Sequence, residues 1–107
     1  GRRKNEASDI VMLTSTHIEA ARELLTEKWG QGRFHDYDND TYCAVGALNK
    51  VRGGMTLSEI AKLSRLFSAA GALGPYATVV DWNDHSQKQE VLDGFDRVAK
   101  YMRDKGQ

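Results

Sequence analysis

The stretch Ser86-Gln87-Lys88-Gln89-Glu90-Val91-Leu92-Asp93-Gly94-Phe95-Asp96-Arg97-Val98-Ala99-Lys100-Tyr101-Met102 decides the fold. Val91, Leu92, Phe95, Val98, Ala99 and Met102 recur at the helical period, so a helix here gathers them into one apolar stripe. Ser86 and Gln89 stand at the spacing of a capping box, in which side chains satisfy backbone donors that the first turn leaves orphaned. Lys and Arg near the far end suit the negative pole of the helix dipole. A stripe of this kind must be buried against something, and two further capping-box spacings upstream supply the partners: Thr16 with Glu19 and Thr56 with Glu59. The first opens a helix with Ile18, Ala21, Leu24, Leu25 and Trp29 on one face, stopped by Gly30. The second opens a helix with Ile60, Leu63, Leu66, Phe67 and Ala70 on one face, stopped by Gly71. A shorter fourth helix is predicted from near Thr41 through Cys43, Val45, Ala47 and Leu48, with small Ala44, Gly46 and Ala47 allowing close approach of a neighbour.

Working outward, the charged start at residues 1–9 reads as a flexible tail and residues 10–105 as a single domain. A chain of 107 residues buries roughly 60 to 70% of its unfolded surface, enough for a core without disulfide or metal staples. Two β-flavoured runs, Ile10-Val11-Met12-Leu13 and Tyr76-Ala77-Thr78-Val79-Val80, are natural partners for a two-stranded ribbon at most. The connections at 30–40 and 71–85 both exceed the usual length of roughly 4 to 6 residues. Their aromatic residues Phe34, Tyr37, Tyr42, Tyr76 and Trp82 predict ordered loops that cover the bundle. The expectation is a mainly α fold, a small four-helix domain with long ordered loops.

Fifteen basic residues balance fifteen acidic ones, so no global electrostatic footprint points to nucleic acid or an anionic membrane. No apolar run approaches the ~20 residues of a membrane span. Cys43 is the lone cysteine, which excludes an internal disulfide and makes a reducing cytoplasm the expected setting.

The densest chemistry lies in Asp81-Trp82-Asn83-Asp84-His85-Ser86. Its simplest reading is structural: Trp82 plugs the core while Asn83 and Asp84 hold the turn before the last helix. A functional reading makes Trp29, Tyr42, Trp82, Asn83, Asp84 and His85 a binding surface. Cys43 near a helix N-terminus, followed in the chain by Asp84 and His85, would suit a small cysteine hydrolase. Against this, a single Cys beside Ala44 and Gly46 is more simply a buried small hydrophobe. In Asp36-Tyr37-Asp38-Asn39-Asp40, carboxylates alternate as at the start of a calcium loop. Thr41 and Ala47 nevertheless stand where that motif needs Gly and Glu, so an acidic solvated loop is expected and no metal. Thr56 to Leu63 resembles the opening of a helix-turn-helix, but the apolar period runs unbroken past Arg65 and weighs against a DNA-associated regulator.

Trp29-Gly30-Gln31-Gly32, Tyr42-Cys43-Ala44-Val45-Gly46-Ala47-Leu48 and Trp82-Asn83-Asp84 ahead of Glu90-Val91 carry a resemblance. In that order and spacing they resemble a domain family of unknown function found in actinobacteria and their bacteriophages, over residues 16–100. The chain departs from the family pattern after Asp84, so the resemblance implies no role for His85. It implies a bacterial or phage protein of the cytoplasm and supplies no activity. With no cofactor loop, complete metal set or basic face, the expected function is a small protein-binding module, a bacteriophage effector engaging a host or phage protein, without a cofactor. A cysteine hydrolase and a DNA-associated regulator are the alternatives.

Overall fold

In the computed structural model of the chain, residues 13–107 are described. The expected tail at 1–9 and the apolar Ile10, Val11 and Met12 lie outside them. Five helices follow in order: α1 (Ser15–Lys28), α2 (Ala44–Arg52), α3 (Leu57–Ala69), α4 (Val79–Asp84) and α5 (Lys88–Asp104). One antiparallel ribbon, β1 (His35–Asp36) with β2 (Thr41–Tyr42), separates α1 from α2.

The period of the apolar residues does what it should. All six stripe residues of α5 are buried, together with Ile18, Ala21 and Leu25 of α1 and Leu63, Leu66 and Phe67 of α3. Helix α1 is the central element, packed along α5 and α2, while α3 and α4 meet each other and close the far side. At the centre, Phe67 meets Phe95 edge to face at 5.3 Å and Trp82 at 5.8 Å. Such aromatic pairs add roughly 0.5 to 1.5 kcal/mol beyond the area they bury. On the surface side of the α1 to α5 seam, Arg22 pairs with Asp96 at 2.7 Å and Arg103 pairs with Glu19.

The caps are more instructive than the stripes. Thr56 and Glu59 form the expected box: the Thr56 hydroxyl accepts from the Glu59 N–H at 3.1 Å and Glu59 accepts from the Thr56 N–H at 2.8 Å. Arg52 then grips the same carboxylate with two bonds of 2.9 Å, tying the end of α2 to the start of α3. Elsewhere the box slides. Helix α1 is capped by Thr14, whose N–H donates to His17 Nδ1 at 3.1 Å, which frees Glu19 to meet Arg103. Helix α5 is capped by Gln87, whose N–H donates to Glu90 at 2.7 Å, so Ser86 is not its cap.

Two expectations are corrected. Thr41 and Tyr42 belong to β2, and α2 begins three residues later with Cys43 as its N-cap. The 76–80 run forms no strand: Thr78 accepts from the Asp81 N–H at 3.1 Å and starts α4, a fifth helix, in place of the β-flavoured pairing. A capping threonine with an acidic first turn outweighs the β preference of two valines. The ribbon exists, but between residues that carry no β pattern. Asp36 makes it, accepting from the N–H groups of Asp38 at 3.0 Å and Asn39 at 3.2 Å. Such an Asx turn directs the chain back on itself.

Candidate functional site

Helix α4 is short, yet it places Trp82 and Asn83 inward and leaves Asp84 half-buried at its end. Trp82 lies flat against α5 because Gly94 has no side chain there: a Cβ would stand 2.4 Å from Trp82 Cζ2. Asn83 is completely buried. Its carboxamide Oδ1 accepts from Trp29 Nε1 at 2.9 Å and from the Ala44 N–H at 3.0 Å. Its Nδ2 donates to the Gly30 carbonyl at 3.0 Å and to Asp84 Oδ1 at 3.2 Å. Both donors and both acceptor positions of the amide are therefore used, which is the full capacity of this side chain.

Around this hub the 29–32 turn is stitched down residue by residue. Gln31 Nε2 donates to the backbone carbonyls of Asn83 at 3.1 Å and Ser86 at 2.9 Å. Asp84 Oδ1 accepts from the Gly32 N–H at 3.0 Å. One of the orphan donors at the start of α2 is satisfied by Asn83 from another part of the chain, a cap supplied in trans. Trp29, Gly30, Gln31, Gly32, Asn83 and Asp84 thus belong to one clasp. The sequence brought the two motifs to notice separately and the structure joins them.

Of the six residues expected to form a surface, Tyr42, Trp82 and Asn83 are buried, Trp29 and Asp84 are half-buried, and only His85 is exposed. His85 Nδ1 donates to the Asp81 carbonyl at 2.8 Å and its ring stacks on Tyr76 at 5.4 Å. Cys43 is 2% exposed, and its sulfur accepts from the Gly46 N–H at 3.4 Å. Burial pushes the thiol above its ordinary value, and the nearby Asp84 carboxylate pushes the same way. A nucleophilic cysteine needs the opposite shift. Asp84 is brought near Cys43, whereas His85 is engaged with Asp81 and Tyr76.

The ribbon builds a second feature. Asp40, in the left-handed region at φ 55°, binds Lys28 and His35 Nε2, the latter at 3.1 Å. These partners, Lys28 first, hold its carboxyl below the usual range, as the amide of Asn39 does for Asp36. Two of the three carboxylates that suggested calcium, Asp36 and Asp40, are thus engaged in folding the hairpin, and no cluster of three or more His, Cys, Asp or Glu placed to hold a metal ion occurs among the described residues. His35 stacks on Tyr42 at 4.1 Å and leans on Tyr37 at 4.0 Å. Gly46 lets the hairpin sit directly on α2, since a Cβ there would meet the Phe34 carbonyl oxygen at 1.7 Å. Between hairpin and helix is a cleft of about 240 Å³, lined by Phe34, His35, Tyr37, Tyr42, Asn49 and Lys50 among others. Phe34 is 45% exposed and Tyr37 83% exposed. These two were expected to cover the bundle, but they face solvent. The Asx-turn spacing of Asp36 and Asn39 was the signal that could have placed them on a hairpin.

Fold and clasp together define a small helical domain whose two long connections are tied by one buried asparagine. The chain belongs to a family of unknown function, DUF6197, whose model matches residues 11–101. No curated protein and no solved structure matches it. Among the described residues, no helix is long and apolar enough to cross a membrane.

Proposed function

We propose that this domain is a protein-binding module and that its contact surface is the hairpin rather than the Trp82 cluster. The observation that carries this reading is the exposure of Phe34 and Tyr37 on a hairpin whose turn is held by the side-chain bonds of Asp36. Exposed aromatics on a preorganised loop bury area on contact while losing little conformational freedom, which is the economy of good interface anchors. The adjacent cleft has room for one bulky apolar side chain, and exposed Lys50 at its edge has no ion pair among the described residues. The partner is accordingly a protein that offers an apolar side chain with a carboxylate beside it. The resemblance to actinobacterial and phage domains supports a setting in the bacterial cytoplasm, as a phage effector engaging a host or phage protein. The hydrolase and DNA-regulator readings draw no support from a buried thiol of raised pKa and an unbroken α3.

The test is affinity capture from an actinobacterial lysate with wild-type and Tyr37→Ser baits, followed by calorimetry with the purified partner. Loss of one central aromatic anchor should weaken binding by about 2 kcal/mol or more, roughly thirtyfold. Equal affinity of the two proteins would remove the hairpin from the interface.

A further inference from the structure

A second cleft, of about 370 Å³, opens between the 71–76 loop and α5, away from the hairpin. It falls in the size range of small-molecule sites, roughly 300 to 1,000 Å³. Its base is formed where Gly94 admits Trp82 against the helix. Glu90, Asp93 and Arg97 line it, and their spacing sets them in a row on successive turns of α5. Each has bonding capacity left over. Glu90 gives Oε1 to the Gln87 N–H at 2.7 Å, and Asp93 gives Oδ1 to Gln89 Nε2 at 2.9 Å, so the second oxygen of each carboxylate is open. Arg97 makes no ion pair and no side-chain hydrogen bond among the described residues.

Ser86 supplies an independent observation. It lines the same cleft at only 9% exposure, and its hydroxyl has no hydrogen-bond partner among the described residues. The capping duty that would have occupied it falls to Gln87 instead. The hydroxyl is therefore free to meet a ligand in the cleft.

We propose that this cleft binds a free α-amino acid with an apolar side chain. A simple anion would meet two carboxylates, and a simple amine would meet Arg97. A zwitterion satisfies both: its ammonium lies against Asp93 and Glu90, and its carboxylate takes the planar fork of Arg97. Ser86 adds a hydrogen bond, and the rings of Tyr76 and Trp82 receive the apolar side chain. Asp93 and Arg97 are one turn apart, about 6 Å along the helix, so a single small zwitterion can reach both.

An amide-proton NMR titration of the full chain with leucine and with phenylalanine tests the proposal, with N-acetyl-leucine and leucine methyl ester as forms lacking one charge. Saturable shifts are expected at the 71–76 amides, at Gly94 and at the Trp82 indole. Either blocked form, and either Arg97→Ala or Asp93→Asn, should bind at least about tenfold more weakly, the loss expected for one charge-assisted hydrogen bond. Arg97 and Asp93 are exposed, so both variants keep the fold, and Ser86→Ala should weaken binding by a smaller factor. No saturable shift at millimolar amino acid, or equal binding of the blocked forms, overturns it.

Discussion

Along the α1 to α5 interface, stability is spread over nine buried apolar side chains, whereas around Asn83 it rests on one carboxamide with four partners. Apolar burial has no direction, so a core position asks only for volume and shape. Hydrogen bonds have direction, and removing one member strands the others. The sharpest way to break the comparison is to make near-isosteric changes in both regions. Asn83→Leu leaves the Trp29 indole N–H, the Ala44 N–H and the Gly30 carbonyl without their partner. At about 1 to 3 kcal/mol per orphaned buried group, the three together should cost at least roughly 3 kcal/mol. Leu25→Met, at an equally buried position within that interface, should cost less than about 1.5 kcal/mol. Urea denaturation of the two variants decides it: similar midpoints would mean that the clasp is only another piece of core.

This difference also explains what could be read from the chain alone. The stripes of α1, α3 and α5 were legible because a period is a local property, visible in any window of a dozen residues. The Asn83 hub was not, because three of its four partners lie 39 to 54 residues away and asparagine before a helix has an ordinary local explanation. Trp29-Gly30-Gln31-Gly32 and Trp82-Asn83-Asp84 stood out individually. Nothing in the sequence said that they touch. The small helix α4 was hidden for another reason: Tyr76 to Val80 has β-favouring residues, and a single capping threonine decided against them. The hairpin was lost in the same way, since its turn is made by Asp36 side-chain bonds rather than by an alternating pattern.

A second test asks whether Cys43 shares the tightness of its surroundings. It caps α2 beside Ala44, whose N–H is held by Asn83, so the clasp and the thiol should open together. In native protein, alkylation by iodoacetamide should be limited by unfolding at neutral pH, because burial both shields the sulfur and disfavours the thiolate. In Asn83→Leu it should accelerate by the same factor as the unfolding equilibrium. Fast reaction in the wild type, lost on His85→Ala, would instead establish a catalytic pair and move the hydrolase reading ahead of the binding module.

The Arg52 to Glu59 contact is intermediate, directional like the clasp but at the surface like the hairpin. Arg52 first, and then the Thr56 N–H, bring the Glu59 carboxyl from 4.5 down to about 2. A carboxyl depressed by folding stabilises the native state at pH above its ordinary value. That contribution is lost progressively as pH falls from about 4.5 toward 2. Melting curves across this window should show a steeper acid decline for the wild type than for Glu59→Gln, which has no charge to lose there. Parallel declines would show that the ion pair is no stronger in the fold than in water.

The smallest effect is expected at Tyr37. Its ring is 83% exposed and touches the fold chiefly through His35, which keeps its own stack on Tyr42 when Tyr37 is removed. The turn itself depends on Asp36 and Asn39, and the anchoring of the strand on Asp40, none of which needs the tyrosine. Tyr37→Ser should therefore change stability by no more than about 0.5 kcal/mol, the usual range for a surface substitution. That neutrality is what gives the position its diagnostic value. An aromatic residue that does nothing for the fold can be changed without disturbing it, so any loss of binding in Tyr37→Ser reports on the proposed contact alone. If Tyr37→Ser instead lowered stability as much as a core truncation does, the ring would be part of the hairpin's own packing, and the argument for a protein-binding surface there would lose its foundation.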